Sequence, residues 1–233
     1  MKRILLAAAA LLPLLAACSK HSDDPLPKDV CANISDQNFK SFCYSRFDRD
    51  KDGVVSKDEA EAVKSISIND RSVTSLDGIS AFTNIETLDV SGSSITSLDL
   101  SKNAELITFT AKSCTYLSSI SFGSISKVQS ITLSNTKVTS LDVTKMADLI
   151  NLDCSSNAIT ALDVTKCPKL MVLDCSMNSI ASLDLSKNPA LKSIECFMPT
   201  LKEITITTEL YSDFTDFFKN LKAQISDLKV IML

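Results

Sequence analysis

The chain has 233 residues, eight of them Cys, with 45% hydrophobic residues, no Trp, one His, four Gly and a formal charge of −4. That composition belongs to a folded chain of one or two domains and excludes a disordered or collagen-like one. Without a basic run the chain lacks the footprint of a nucleic-acid binder, and a single His weakens most acid–base or histidine-rich metal schemes.

Residues 1–17, MKRILLAAAALLPLLAA, put two cations ahead of an apolar run too short to span a ~30 Å hydrocarbon core at 1.5 Å per residue. This is read as a signal peptide, and its removal leaves 22 positive against 28 negative groups. The following Leu15-Ala16-Ala17-Cys18 resembles the bacterial lipoprotein cleavage box, which implies lipidation at Cys18. Acyl chains at ~0.8 kcal/mol per buried methylene would then anchor the mature chain without a spanning helix. Residues 18–30 are polar and proline-punctuated, as a flexible tether should be. Ser19 is not the Asp that retains some lipoproteins at the inner membrane, and Lys20 near Asp23 and Asp24 resembles the export signal of Bacteroidetes surface lipoproteins. The resemblance implies an outer-membrane lipoprotein exposed at the cell surface.

Residues 31–62 are expected to form a helix–loop–helix cap. Within them, 48–59 read DRDKDGVVSKDE, which fits the twelve-residue EF-hand loop. A hard cation needs six to eight oxygens at ~2.3–2.6 Å. Asp48, Asp50 and Asp52 supply alternate carboxylates, Gly53 the sharp turn, the Val54 carbonyl a further oxygen, Ser56 one directly or through water, and Glu59 a bidentate closure. The expected cofactor is calcium. Phe39, Phe42, Cys43 and Phe47 line one face of the incoming helix, which Ser35 or Asp36 caps, and Ala60 and Val63 continue the outgoing one. Sensor loops pair through their eighth residue, and Val55 has no second loop to meet, so a structural role for calcium is favoured over a regulatory one.

From 63 to 206 the chain repeats, in seven units starting at Val63, Ile85, Leu106, Val128, Leu149, Leu170 and Leu191. Unit five, LINLDCSSNAITALDVTKCPK, resembles the leucine-rich-repeat opening LxxLxLxxN, and the nested half-repeat resembles the 21-residue bacterial class called IRREKO. Signal, single EF-hand and such repeats together resemble a group of Bacteroidetes surface lipoproteins. Each unit offers two short period-2 segments that bury an inner face only by stacking. The expected fold is therefore a repeat solenoid, mostly β: a right-handed leucine-rich-repeat coil with two parallel ladders, an N-terminal helix–loop–helix cap and a C-terminal helix–strand cap. Asn103, Asn157, Asn178 and Asn188 fall at turns, where an amide can satisfy stranded backbone groups. Cys154, Cys175 and Cys196 share one inward site in successive coils, whereas Cys31 and Cys43 bracket the first helix and are the better-placed pair for a bridge. In 207–233, Phe214, Phe217, Phe218, Leu221 and Ile225 share a helical face ahead of a final strand.

The second ladder carries Asp99, Asp142, Asp163 and Asp184 in one row with Lys102, Lys145, Lys166 and Lys187 three residues on, read as a neutralised structural pattern. The first ladder turns outward a small, polar, mildly acidic face, and Asp89, Asn151, Asp153, Asp174, Glu195 and Phe197 form the candidate binding surface. An Asp repeated every coil follows the repeat, whereas a catalytic pair should break it, so the chain is not read as an enzyme. The expected function is a monomeric, non-catalytic surface module that binds protein. A glycan binder or a cell-envelope spacer is the alternative, and the single outward aromatic, Phe197, weighs against sugar.

Overall fold

The computed structural model describes residues 28–233, so the signal peptide, Cys18 and most of the tether lie outside the described residues. Helix α1 (Gln37–Phe47) opens on Asp36, whose Oδ1 accepts the Asn38 and Phe39 N–H groups, and buries Phe39, Cys43 and Phe47. Helix α2 (Lys57–Ala62) opens on a capping box between Ser56 and Glu59. It is only six residues long, and Val63, expected to continue it, is its extended C-cap.

Twelve short strands follow: β1 (Ser65–Ser67), β2 (Thr87–Asp89), β3 (Ser97–Asp99), β4 (Thr108–Thr110), β5 (Ser119–Ser121), β6 (Ser130–Thr132), β7 (Asn151–Asp153), β8 (Val172–Asp174), β9 (Ser182–Asp184), β10 (Ser193–Glu195), β11 (Glu203–Ile206) and, beyond two helices, β12. Helices α3 (Thr208–Asp213) and α4 (Thr215–Gln224) separate β11 from β12 (Lys229–Met232). Most strands are three residues long and bury only the middle one, the minimum that period-2 alternation allows.

The first ladder is one seven-stranded parallel sheet, β1-β2-β4-β6-β7-β8-β10. Its register pairs Ser65 with Thr87, Thr87 with Thr108, Thr108 with Ser130, Ser130 with Asn151, Asn151 with Val172 and Val172 with Ser193. Those steps are the sequence repeat itself. The second ladder departs from expectation, because it divides into the pair β3-β5 and the triplet β12-β11-β9. Between them the segments 140–143 and 161–164 have no strand pairing, and hollows of about 250 and 490 Å³ lie against Leu141, Asp142, Ala161 and Leu162.

One continuous apolar core runs the length of the stack and into both caps. The turn asparagines tie it together. Asn178 Nδ2 donates to the carbonyls of Cys154 at 2.9 Å and Cys175 at 3.0 Å, so one amide serves two coils, and its Oδ1 accepts the Ile159 N–H at 2.9 Å. Asn157, Asn103 and Asn188 likewise donate back to the preceding coil. At a neighbouring turn five successive coils place one residue in the left-handed region: Gly92, Ser113, Asn135, Ser156 and Met177. Each sends its N–H to a carbonyl of the next coil at 2.8–3.1 Å. At the far end Phe218 and Leu221 of α4 are buried, and Phe217 meets Phe218 edge-on, so these rings are cap core as expected.

Candidate functional site

Two features carry chemistry: the acidic loop between α1 and α2, and the outward face of the first ladder.

In the loop the sequence forces a tight path. Lys51 and Gly53 take left-handed backbone at φ of 62° and 87°, Asp52 N–H turns back to Asp50 Oδ1 at 3.2 Å, and Gly53 N–H reaches Asp48 Oδ2 at 3.1 Å. This brings one carboxylate oxygen each from Asp48, Asp50 and Asp52 within 4.8 Å of one another. Asp48 Oδ1 is buried without a hydrogen-bond partner, a costly arrangement for a charged oxygen unless a cation faces it. The donor set is all oxygen, as a hard divalent cation requires.

Glu59 stands outside that trio. Its Oε1 accepts the Arg49 N–H at 2.6 Å and its Oε2 accepts the Ser56 N–H and hydroxyl, both at 2.9 Å, so it laces the two ends of the loop together. Burial pushes its carboxyl up, but the donors from Ser56 and Arg49 outweigh that and hold it below the usual carboxylate range. Each carboxylate oxygen keeps a second lone pair, so these bonds leave ligation open. Ser56 Oγ accepts the Glu59 N–H at 3.3 Å as the helix cap, which favours contact with an ion through water.

Val55 has a partner that sequence reasoning missed. Val30 N–H donates to the Val55 carbonyl at 2.9 Å, and Asp29 Oδ1 accepts the Val55 N–H at 3.3 Å. The last two residues of the expected tether, Asp29 and Val30, are thus not a free linker but pair with the loop, in the place that a second loop fills in paired EF-hands. No local pattern signals this contact, which joins residues 25 apart.

On the first ladder the pairings line up Asp89, Thr110, Thr132, Asp153, Asp174 and Glu195 in one outward row. Asn151 and Val172 belong to the neighbouring row two residues back. Asp89 and Asp153 each spend one oxygen on the N–H and hydroxyl of the Ser two residues on, and Asp174 accepts the Ser176 N–H. At the C-terminal end of the face, Val172, Phe197 and Met177 are 39%, 41% and 68% exposed beside Asp174 and Glu195. Phe197 and Met177 are neighbours across coils, since the Met177 N–H donates to the Phe197 carbonyl at 3.0 Å. The candidate residues therefore concentrate at this end, with Asp89 three strands from Asp153 and five from Glu195.

The second-ladder acids are held first by local turn bonds, and Lys102, Lys145 and Lys166 act on Asp99, Asp142 and Asp163 only as a weaker through-space attraction. Asp99, Asp142, Asp163 and Asp184 each accept the N–H two residues on at 2.9 Å, and Asp142 and Asp163 also take the Thr hydroxyl. Among the described residues none pairs with the lysines three residues on. The cross-coil ion pairs are Lys64–Glu86, Lys127–Glu105 and Lys169–Asp148 instead. A local turn bond costs a short side chain little entropy, and so it wins over an exposed, solvated Lys.

No protein-family model and no curated protein sequence matches the chain. Solved structures do resemble it. InlP of Listeria monocytogenes superposes with a TM-score of 0.50 at 17% identity, covering 78% of this chain and 67% of that one. The functional domain of InlJ from the same organism, described as including a cysteine ladder, gives 0.41 at 22%, covering 66% and 46%. A leucine-rich-repeat protein of Leptospira interrogans gives 0.43 at 16%, covering 76% and 56%. The chain thus spans about half the length of the InlJ domain. By its own pairing and by its likeness to InlP, the chain has the parallel-strand solenoid fold of the leucine-rich-repeat proteins, about seven coils long with helices at its ends.

Proposed function

We propose that the protein is a non-catalytic recognition module, stabilised by calcium at its N-terminal cap and binding a protein partner on the C-terminal half of the first-ladder face. The observation that carries the binding reading is the mixed patch there. Val172, Met177 and Phe197 expose apolar surface beside Asp153, Asp174 and Glu195, and among the described residues no cation pairs with those acids. A flat ladder of outward rows with an apolar and acidic centre suits a protein surface carrying basic residues around an apolar contact. Only one ring, Phe197, stands on the outward positions of the first ladder, which argues for protein over sugar on that face.

In the cap, Asp48, Asp50 and Asp52 would hold calcium with the Val54 carbonyl, and Glu59 and a water on Ser56 would complete the shell. The ion would supply charge neutralisation for a buried, partnerless Asp48 oxygen. Attachment is proposed through acylated Cys18 at the outer membrane, facing outward; among the described residues no helix is long and apolar enough to cross a membrane.

The binding reading is tested with a photo-crosslinking side chain placed at Val172 or Glu195, compared with one at Lys145 on the other face, in cells. Adducts from the first-ladder positions, with those at Val172 abolished by Glu195→Lys, support it; equal adducts from both faces, or none, refute it. The calcium reading is tested by melting in calcium and in chelator. A ligand at 100 times its dissociation constant should add about 2.7 kcal/mol, and an unchanged midpoint rules the site out.

A further inference from the structure

Seven of the eight cysteines lie among the described residues, all as free, buried thiols, and their places sort them into three kinds. Cys154, Cys175 and Cys196 fill one inward site in successive coils, where burial raises each thiol, Cys154 and Cys196 to about 12. Cys114 and Cys167 stand where other coils have the turn Asn, with their sulfurs 3.0 Å and 3.5 Å from the Val90 and Val143 carbonyls. Cys31 and Cys43 belong to neither pattern. One sits on the segment before α1 and the other on the inner face of α1, both fully buried in the same core and side by side there.

The surrounding bonds hold that pair in register. Cys31 N–H donates to Asp29 Oδ1 at 2.9 Å, while Oδ2 of the same carboxylate accepts the hydroxyl of Tyr44, the residue after Cys43. On the other side of Cys31, the Ile34 N–H closes a turn onto its carbonyl at 3.1 Å. Val30 is fixed to Val55 of the acidic loop. The backbone on both sides of Cys31 is therefore tied down, and the contact between the two sulfurs is a property of the folded cap.

We propose that Cys31 and Cys43 are a modification site, closing into a disulfide that staples the segment 29–31 to α1 and so to the loop it pairs with. The oxidant is a small-molecule or protein disulfide. The thiolate of one cysteine attacks one of its sulfurs and releases a thiol, and the sulfur of the other cysteine then displaces the second. One S–S bond forms and one breaks; the oxidant becomes two thiols and takes up both electrons and both protons. Because both sulfurs are fully buried, exchange occurs while the cap is still open. The inward cysteines of the coils are excluded by geometry, since parallel side chains in one ladder do not present the ~90° dihedral a disulfide needs.

The test folds the full chain in a glutathione redox buffer, alkylates it under denaturing conditions and maps the digest by mass. The expected product is a Cys31–Cys43 cross-linked peptide, two hydrogens lighter than its parts, with Cys114, Cys154, Cys167, Cys175 and Cys196 alkylated. Alkyl groups on both Cys31 and Cys43, or a bridge that joins a different pair, would overturn the assignment. A second measurement reads the staple itself: reduction should lower the melting midpoint by on the order of 5–10 °C and leave a Cys31→Ser, Cys43→Ser variant unmoved. An unchanged wild-type midpoint would equally overturn it.

Discussion

Asp36 joins the N-terminal cap to the first coil, and replacing it with Ala is the sharpest test of how that cap is held. The side chain is only 9% exposed and accepts five hydrogen bonds. Oδ1 takes the Asn38 and Phe39 N–H groups at 3.0 and 2.8 Å as the α1 cap. Oδ2 takes the Thr74 N–H at 2.7 Å, its hydroxyl at 2.8 Å and the Ser75 N–H at 3.2 Å, from the first coil. Loss of a helix cap costs about 1 kcal/mol. Stranding the donors of 74 and 75 adds about 2 kcal/mol, because bonds to a charged acceptor are stronger than neutral ones. Asp36→Ala should therefore destabilise the cap by about 3 kcal/mol. Asp36→Asn should recover about 1 kcal/mol, since an amide oxygen can serve the helix or the coil but not both. A solenoid can fray from one end, so the direct readout is hydrogen exchange at the Thr74 and Ser75 amides beside the urea midpoint. Acidity offers an independent check. Burial raises the Asp36 carboxyl, but the bonds from Phe39, Thr74 and Ser75 outweigh it and leave the group below its ordinary value. A carboxyl depressed on folding contributes its full stability above the unfolded value near 3.9 and loses it as pH falls through the folded one. The gap between wild type and Asp36→Ala should hold constant from pH 7 to about 5 and shrink below 4. A total loss under about 1 kcal/mol, with unchanged exchange at 74 and 75, would refute the two-handed role of Asp36.

Other perturbations probe the coils. Asn178→Ala removes the amide that bonds carbonyls of two coils and the Ile159 N–H, and should cost about 2–4 kcal/mol by denaturant unfolding, with raised exchange at Ile159. Gly92 and Gly123 both have left-handed backbone, at φ of 72° and 57°, but differ in space. A Cβ on Gly92 meets nothing within 4 Å, so Gly92→Ala should cost about 1 kcal/mol from backbone strain alone. On Gly123 it would stand 2.6 Å from the Ser101 Cβ, so Gly123→Ala should be clearly worse in a paired thermal melt, and equal midpoints would contradict this.

The repeat was legible because every coil needs the same inward residue at the same place, and the sequence steps from Val63 to Leu191 reappear as the strand register from Ser65 to Ser193. The turn amides were legible for the same reason. The acidic loop could be read as well, since its turn geometry is written within twelve consecutive residues, although Glu59 holds the loop ends and stands apart from the three gathered carboxylates. What could not be read depends on distance or on competition. Nothing near Asp29 or Val30 announces that they meet Val55. The Asp–Lys rows looked neutralised in sequence, but each Asp is satisfied first by the N–H two residues on. The break in the second ladder carries no mark at all, for Leu141-Asp142-Val143 and Leu162-Asp163-Val164 read like the strands on either side.

That break has a mechanical meaning. One wall of the stack is hydrogen-bonded strand to strand without interruption from β1 to β10, while the opposite wall is divided between β5 and β9. A rod built in this way has unequal stiffness: the unbroken wall resists stretching, and the divided wall gives first. Bending should therefore concentrate at the two coils around 140–143 and 161–164, opening or closing the hollows there while the first-ladder face keeps its spacing. A partner lying along that face would meet a surface of constant pitch even as the body behind it flexes under load.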